Sequence, residues 1–175
     1  MSKLVEVSIK GRSPLLMHRF PMVPIEALEK KTPEEQAEIA AYRTPDGELY
    51  LPGVAMQRAL VQGAAFSKGK GRASLQKEVC AGVLVSPEYA VLTPQTFAVD
   101  SRPVVVPATK GRVMRHRPRF DQWEASFAVE YDETLLTEAQ LRRVVDDTGS
   151  RVGLLDFRPE RKGPFGRFMV TAWKA

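Results

Sequence analysis

The chain has 175 residues, 43% of them hydrophobic and 27% charged, with a formal net charge of +5 at pH 7. That length supports one domain, residues 1–175, with a core of its own. The composition excludes wholesale disorder, and no apolar run nears the roughly 20 residues of a membrane span. A single cysteine, Cys80, excludes an internal disulfide, and with only two histidines, His18 and His116, no metal centre or cofactor site is expected.

Taken in order, the residues predict a first strand in which Val5, Val7 and Ile9 alternate with Glu6, Ser8 and Lys10. Glu6 and Lys10 also interrupt any signal-peptide apolar core, so a cytoplasmic protein is expected. Residues 11–24 are broken by Gly11, Pro14, Pro21 and Pro24. Thr32, Pro33 and Glu35 then start a short helix as N-cap, N1 and N3, running to about Tyr42. A Pro-Asp-Gly turn at 45–47 leads into the strand Leu49–Leu51. Pro52-Gly53 opens a helix over about 54–66, with Val54, Ala55, Arg58, Leu60 and Val61 assigned to its inner face. Ser67 to Arg72 reads as a flexible basic loop carrying Lys68, Lys70 and Arg72.

Val79–Val85 and Tyr89–Leu92 read as short strands, with Cys80 a core residue. Residues 93–122 are irregular except that Val104–Val106 and Arg112–Arg115 suit the arms of a hairpin. Trp123 to Tyr131 is the clearest strand, with Trp123, Ala125, Phe127, Val129 and Tyr131 on one face. Trp123 and Trp173 suit a core or a subunit interface. Thr137 and Gln140 form a capping box for a helix that buries Leu141, Val144 and Val145 and ends at Gly149. Phe168–Trp173 is the last strand. The order predicts an α+β fold, a ferredoxin-like or RRM-like βαββαβ sheet. Helices cover one face, one small helix is inserted early, and a long central β-hairpin excursion occupies 100–122.

Charge is concentrated in that excursion. Between Ser101 and Phe120 stand six cations and no acid, so the rest of the chain sums to −1. Such clustering is the footprint of a polyanion site. Arg115, Arg117 and Arg119 alternate along an extended arm and so share one side. A second basic stretch, before the last strand, holds Arg158, Arg161, Lys162 and Arg167 around Gly163 and Gly166. There the cations suit phosphates, the glycines suit close backbone approach, and Phe165 offers a stacking face.

Two stretches resemble the RAMP superfamily, the RNA-binding proteins of CRISPR systems, and most of all its backbone subunits. Asp46 to Leu60, with Pro52-Gly53 opening the helix that carries Arg58, is similar to the family's strand-then-helix entry, although Val54-Ala55 stands where the family has two serines. Gly163-Pro164-Phe165-Gly166-Arg167-Phe168 sits where the family's glycine-rich loop does. The short chain suits a minimal or phage-borne relative. The resemblance implies that 100–122 is a "thumb" whose Lys110, Arg112, Arg115, His116, Arg117 and Arg119 meet phosphates and whose tip reaches the next subunit.

The expected function is non-catalytic binding of single-stranded RNA or DNA, RNA favoured, as a homo-oligomer or ribonucleoprotein subunit with no membrane partner. The alternatives are a metal-independent endoribonuclease using His18, and a structural or anti-defence protein imitating a CRISPR subunit. No aspartate lies between Met1 and Tyr42, which argues against an aspartate-based cleavage site in the loop after the first strand.

Overall fold

The computed structural model describes all residues, 1–175, and is a mixed α+β structure built on antiparallel sheets. Strand β1 (Ser2–Gly11) is central and pairs with β8 (Glu124–Asp132) on one side and β9 (Phe168–Lys174) on the other. Beyond β8 lie β4 (Val83–Ser86) and β5 (Tyr89–Thr93), and β3 (Tyr50–Pro52) closes the edge. The period-2 residues behave as expected: Val5, Val7, Ile9, Phe127, Val129 and Tyr131 are all buried.

Helices α3 (Gly53–Gly63) and α5 (Glu138–Asp147) pack on each other and share the core with this buried face. Both predicted capping boxes form, at Thr32 for α2 (Pro33–Ile39) and at Thr137 for α5. The buried stripe of α3 differs from the expected one. Met56, Ala59, Leu60 and Gly63 face inward at helical spacing, Val54 is 73% exposed, and Arg58 points out. The β-branched Val54 falls on the outer face because Gly63 is the residue whose missing side chain lets α3 approach Thr148.

Other local expectations are corrected. Residues 76–82 form helix α4 (Gln76–Gly82) rather than a strand, and Cys80 lies exposed on it, outside the core. Only Val79 is buried there, and Gln, Lys and Glu are good helix formers. Gly149 does not end α5, whose path runs on as a wide turn through Thr148–Val152, with the Thr148 hydroxyl donating to the Val144 carbonyl at 2.7 Å. The first irregular stretch holds strand β2 (Leu15–Leu16), and helix α1 (Ile25–Glu29) follows it. No helix is long and apolar enough to cross a membrane.

The hairpin exists and is longer than predicted. β6 (Ala98–Val105) pairs with β7 (Arg112–Phe120) from Ala98–Arg119 up to Val105–Arg112. Its base joins β2 in a second, three-stranded sheet, so it is anchored as a wall of the domain.

The glycine-rich loop is closed on the protein's own backbone. Gly166, at φ +79°, accepts from the Leu154 N–H at 3.0 Å and donates to Pro14 O at 2.8 Å. A Cβ there would collide with the Leu154 carbonyl, and one at Gly163 with the Phe157 carbonyl. These glycines therefore serve close approach to the chain itself. Gly47 (φ +88°) has open space around it. Gly47→Ala is expected to cost about 1 kcal/mol, and Gly166→Ala on the order of 3 kcal/mol or more. Urea denaturation of the two variants checks the difference, which vanishes if the loop is only a permissive surface turn.

Candidate nucleic-acid interface

The alternation of Arg115, Arg117 and Arg119 does place them on one side of β7, and that side faces the protein. Their cross-strand partners Arg102 and Asp100 point the same way. Near the base the charges are satisfied. Asp100, whose side chain is 6% exposed, receives Arg102 at 2.6 Å and Arg119 at 3.5 Å, with Arg117 at 4.0 Å. Arg117 also pairs with Asp156, and Arg119 with Asp121 at 2.8 Å. Burial alone would raise the Asp100 carboxyl, but the hydrogen bonds and charges of these arginines hold it below its ordinary value. Arg117 is thus a structural ion-pair residue with no guanidinium to offer a strand.

Phe165 is likewise spoken for. It is buried, and the Arg102 and Arg119 guanidinium groups lie 4.9 and 5.6 Å from its ring centroid. The expected stacking face is occupied by the protein's own cations.

What remains open is a groove. Between the helix α3 surface and the loop lies a cavity of about 250 Å³, lined by His18, Tyr42, Arg58, Leu155, Asp156 and Arg158. Asp156 and Arg158 also line a second cavity of about 450 Å³ against β6, which adds Arg102, Val105, Phe157 and Arg161. On the other side His18 adjoins Arg19, Arg115 and His116. His116 is tied to the Ser101 hydroxyl at 2.7 Å. His18, Asp156 and Arg158 are each shared by two of these cavities, which therefore adjoin as a row, the track, from α3 past the loop to the hairpin.

His18 sits at the turning point. Burial is the main cause that holds its pKa below the ordinary 6.5; Asp156 opposes, and Arg117 and Arg115 add to the lowering. Its Nδ1 is buried without a hydrogen-bond partner. Burial also raises the Tyr42 hydroxyl above its ordinary 10, so it stays protonated. The pocket can therefore offer neutral donors between two guanidinium groups.

The residues nominated from sequence divide accordingly. Arg58, Arg115, His116, Arg158 and Arg161 border the track. Lys110 and Arg112 are exposed at the hairpin tip, and Lys162 is exposed at the left-handed end of the short turn Pro159–Arg161. Lys68, Lys70 and Arg72 lie past the C-terminal end of α3, away from the track. Arg167 is exposed where β9 meets the end of β1, its backbone held by Ser13 and Arg12. Tyr42, Arg102, Asp156 and Phe157 were not nominated. The Asp156-Phe157-Arg158 run, an aromatic between opposite charges inside a glycine-bounded loop, is the sequence signal that could have found two of them.

No family model matches the sequence, and no curated protein sequence matches it. Among solved structures, a chain of the type III-B Cmr-beta complex bound to cognate target RNA aligns with a TM-score of 0.55 and 12% identity, over 99% of this chain and 60% of that one. This chain thus spans less than two thirds of its neighbour's length. A Cas6 product complex contains a more distant neighbour, with a TM-score of 0.28 and 14% identity over 95% of this chain and 53% of that one. What the first likeness establishes is the fold, which this chain shares with that chain of the complex.

Two outcomes follow from the buried charges. Arg117→Ala leaves Asp156 without its ion-pair partner and Asp100 with two arginines in place of three, and is expected to cost about 1–3 kcal/mol, whereas Arg115→Ala, with no acidic partner, is expected to be nearly neutral. Equal urea midpoints would refute this. For His18, the unfolded chain takes up its proton near pH 6.5 and the folded chain only lower. The full contribution is present above that pH and is lost as pH falls through the window below it. His18→Gln should flatten the loss of urea midpoint between about pH 7 and about pH 5 relative to wild type.

Proposed function

We propose that this chain binds single-stranded nucleic acid, RNA favoured, without cleaving it, and assembles as a multimer along the strand in the manner of a CRISPR backbone subunit. The observation that carries this is the pair of adjoining cavities whose lining combines Arg58, Arg158, Arg161 and Arg102 with the apolar surfaces of Leu155, Phe157 and Val105. Guanidinium groups fit phosphates, and apolar surface fits unstacked bases, which a duplex would hide. A fold shared with a chain of an RNA-bound assembly supports RNA over DNA.

Assembly is supported by two exposed apolar patches in different parts of the chain. The hairpin tip carries Val105 and Met114, 54% and 50% exposed, and the loop before α1 carries Phe20 and Met22, 77% and 82% exposed. Distinct patches suit head-to-tail contact between copies, which propagates along a strand.

The second reading, a metal-independent endoribonuclease using His18, is favoured by the shared pocket of His18, Tyr42 and Asp156. Binding without cleavage is preferred because Asp156 is engaged by Arg117 and His18 Nδ1 has no partner to orient it.

Arg58 and Arg161 border the track without an acidic partner. The Arg58→Ala/Arg161→Ala double variant should bind single-stranded RNA more weakly whatever its sequence, with a log–log salt slope smaller by about 0.7 per lost phosphate contact. Anisotropy titrations across salt concentrations measure this, and gels of the same samples should show intact RNA. An unchanged slope refutes the track. Cleavage products that disappear in His18→Ala transfer the function to the endoribonuclease reading.

A further inference from the structure

The loop 153–166 concentrates backbone strain beside the wider cavity of the track. Four non-glycine residues of the chain have positive φ, and three of them are here: Leu155 at 59°, Phe157 at 46° and Lys162 at 63°. A bulky aromatic in the left-handed region is sterically disfavoured, and such residues persist only where the surroundings over-determine them. The surroundings here do so. The Phe157 carbonyl accepts from the Phe165 N–H at 3.1 Å, the Arg158 carbonyl from the Gly163 N–H at 3.0 Å, and the Leu16 carbonyl from the Asp156 N–H at 2.9 Å. Gly163 has no Cβ, and any Cβ there would strike both the carbonyl and the ring of Phe157.

The strained backbone keeps the Phe157 ring at the surface. Phe165 is 4% exposed and covered by two arginines, whereas Phe157 is 37% exposed and leans on Phe165 with ring centroids 5.9 Å apart. Its free side contributes to the cavity of about 450 Å³ against β6. Val105 supplies apolar surface to the same cavity and Arg161 supplies an unpaired positive charge, while Arg102 and Arg158 line it with guanidinium groups paired to Asp100 and Glu160. The one carboxylate there, Asp156, is neutralised by Arg117. An aromatic face beside apolar surface, with guanidinium groups around it, matches one unstacked base and its adjoining phosphates.

We propose that Phe157 is the stacking platform for a single unpaired nucleobase, which enters the cavity between its ring and Val105 while a flanking phosphate meets Arg161. This rests on the single-strand binding proposed above and adds to it a base subsite and the residue that forms it.

The test compares an RNA strand of about 12 nucleotides, a length suited to one such domain, with a strand of equal length and charge built from abasic residues. Binding is read by anisotropy at several salt concentrations for wild type, Phe157→Leu and Phe157→Trp. Leu is compatible with a positive φ in this same loop, as Leu155 demonstrates. Wild type should prefer the intact strand, and Phe157→Leu should reduce that preference by about 5- to 150-fold, the range spanned by stacking one base on an aromatic ring. Phe157→Trp should keep it, and the salt slope should be the same in all three, since no cation is removed. Equal binding of both strands by wild type, or an undiminished preference in Phe157→Leu, overturns the subsite alone. Wild-type protein that binds neither strand overturns the subsite together with the binding function.

Discussion

One buried guanidinium holds the two walls of the track at a fixed separation. Arg117 lies on the hairpin, Asp156 lies 39 residues further along the chain, and their ion pair crosses from β7 to the C-terminal loop. Asp100, across from Arg117 on β6, draws in Arg102 and Arg119 as well. Taking these charges out of water is costly, and it is offset only because each carboxylate meets more than one donor or a closely aligned one. The gain is geometric. Arg117 Nη1 donates to Asp156 while Nη2 lies 4.0 Å from Asp100, so one planar group links both carboxylates, whereas an apolar contact between hairpin and loop would allow sliding. The cavity bounded by Arg102, Val105 and Phe157 exists at its observed width because this cluster sets it.

The loop contributes rigidity by a different route. Eight of its N–H groups donate to carbonyls within the loop or to Pro14, Leu16 and Thr148. Its glycines are sites where the chain touches itself. Where Gly163 and Gly166 close on the chain, side chains are the part able to meet a ligand, so positive charge and aromatic surface define recognition there. The Arg158 guanidinium is shared with Glu160 at 2.6 Å and the Leu155 carbonyl at 2.7 Å, which leaves Arg161 as the freer cation of the pair.

Much of the fold was legible because the signals that specify it are local. Strand alternation at Val5, Val7 and Ile9 and the capping boxes at Thr32 and Thr137 depend on residues a few positions apart. The misreadings share the opposite property. Periodicity puts Arg115, Arg117 and Arg119 on one side of β7, yet only the distant Asp156 and Phe165 decide that this side turns inward. The inner stripe of α3 depends on Thr148, which a sequence window around residues 53–63 cannot contain. Gly163 and Gly166 look identical in sequence whether they admit a ligand or another stretch of backbone. The candidate site was therefore half legible: its cations could be counted, but which were free and which were consumed by acids is a property of tertiary contacts.

The open face of the main sheet sharpens this. An RRM-like protein would place bases on that face and would need exposed aromatic side chains there. Here the cross-strand pairs on it are Leu4 with Glu130, Glu6 with Ala128, Ser8 with Ser126 and Lys10 with Glu124. The two serine hydroxyls bond each other at 2.8 Å, and Lys10 lies 4.0 Å from Glu124. No aromatic ring stands among these pairs, and the acids outnumber the cation. Along this β1–β8 seam the acids disfavour a polyanion, while the arginine track attracts one. The same β1 that buries Val5, Val7 and Ile9 in the core thus presents, through its alternate residues, a surface that directs a strand elsewhere. That leaves the groove between α3, the C-terminal loop and the hairpin as the part of the molecule where charge, apolar surface and shape coincide.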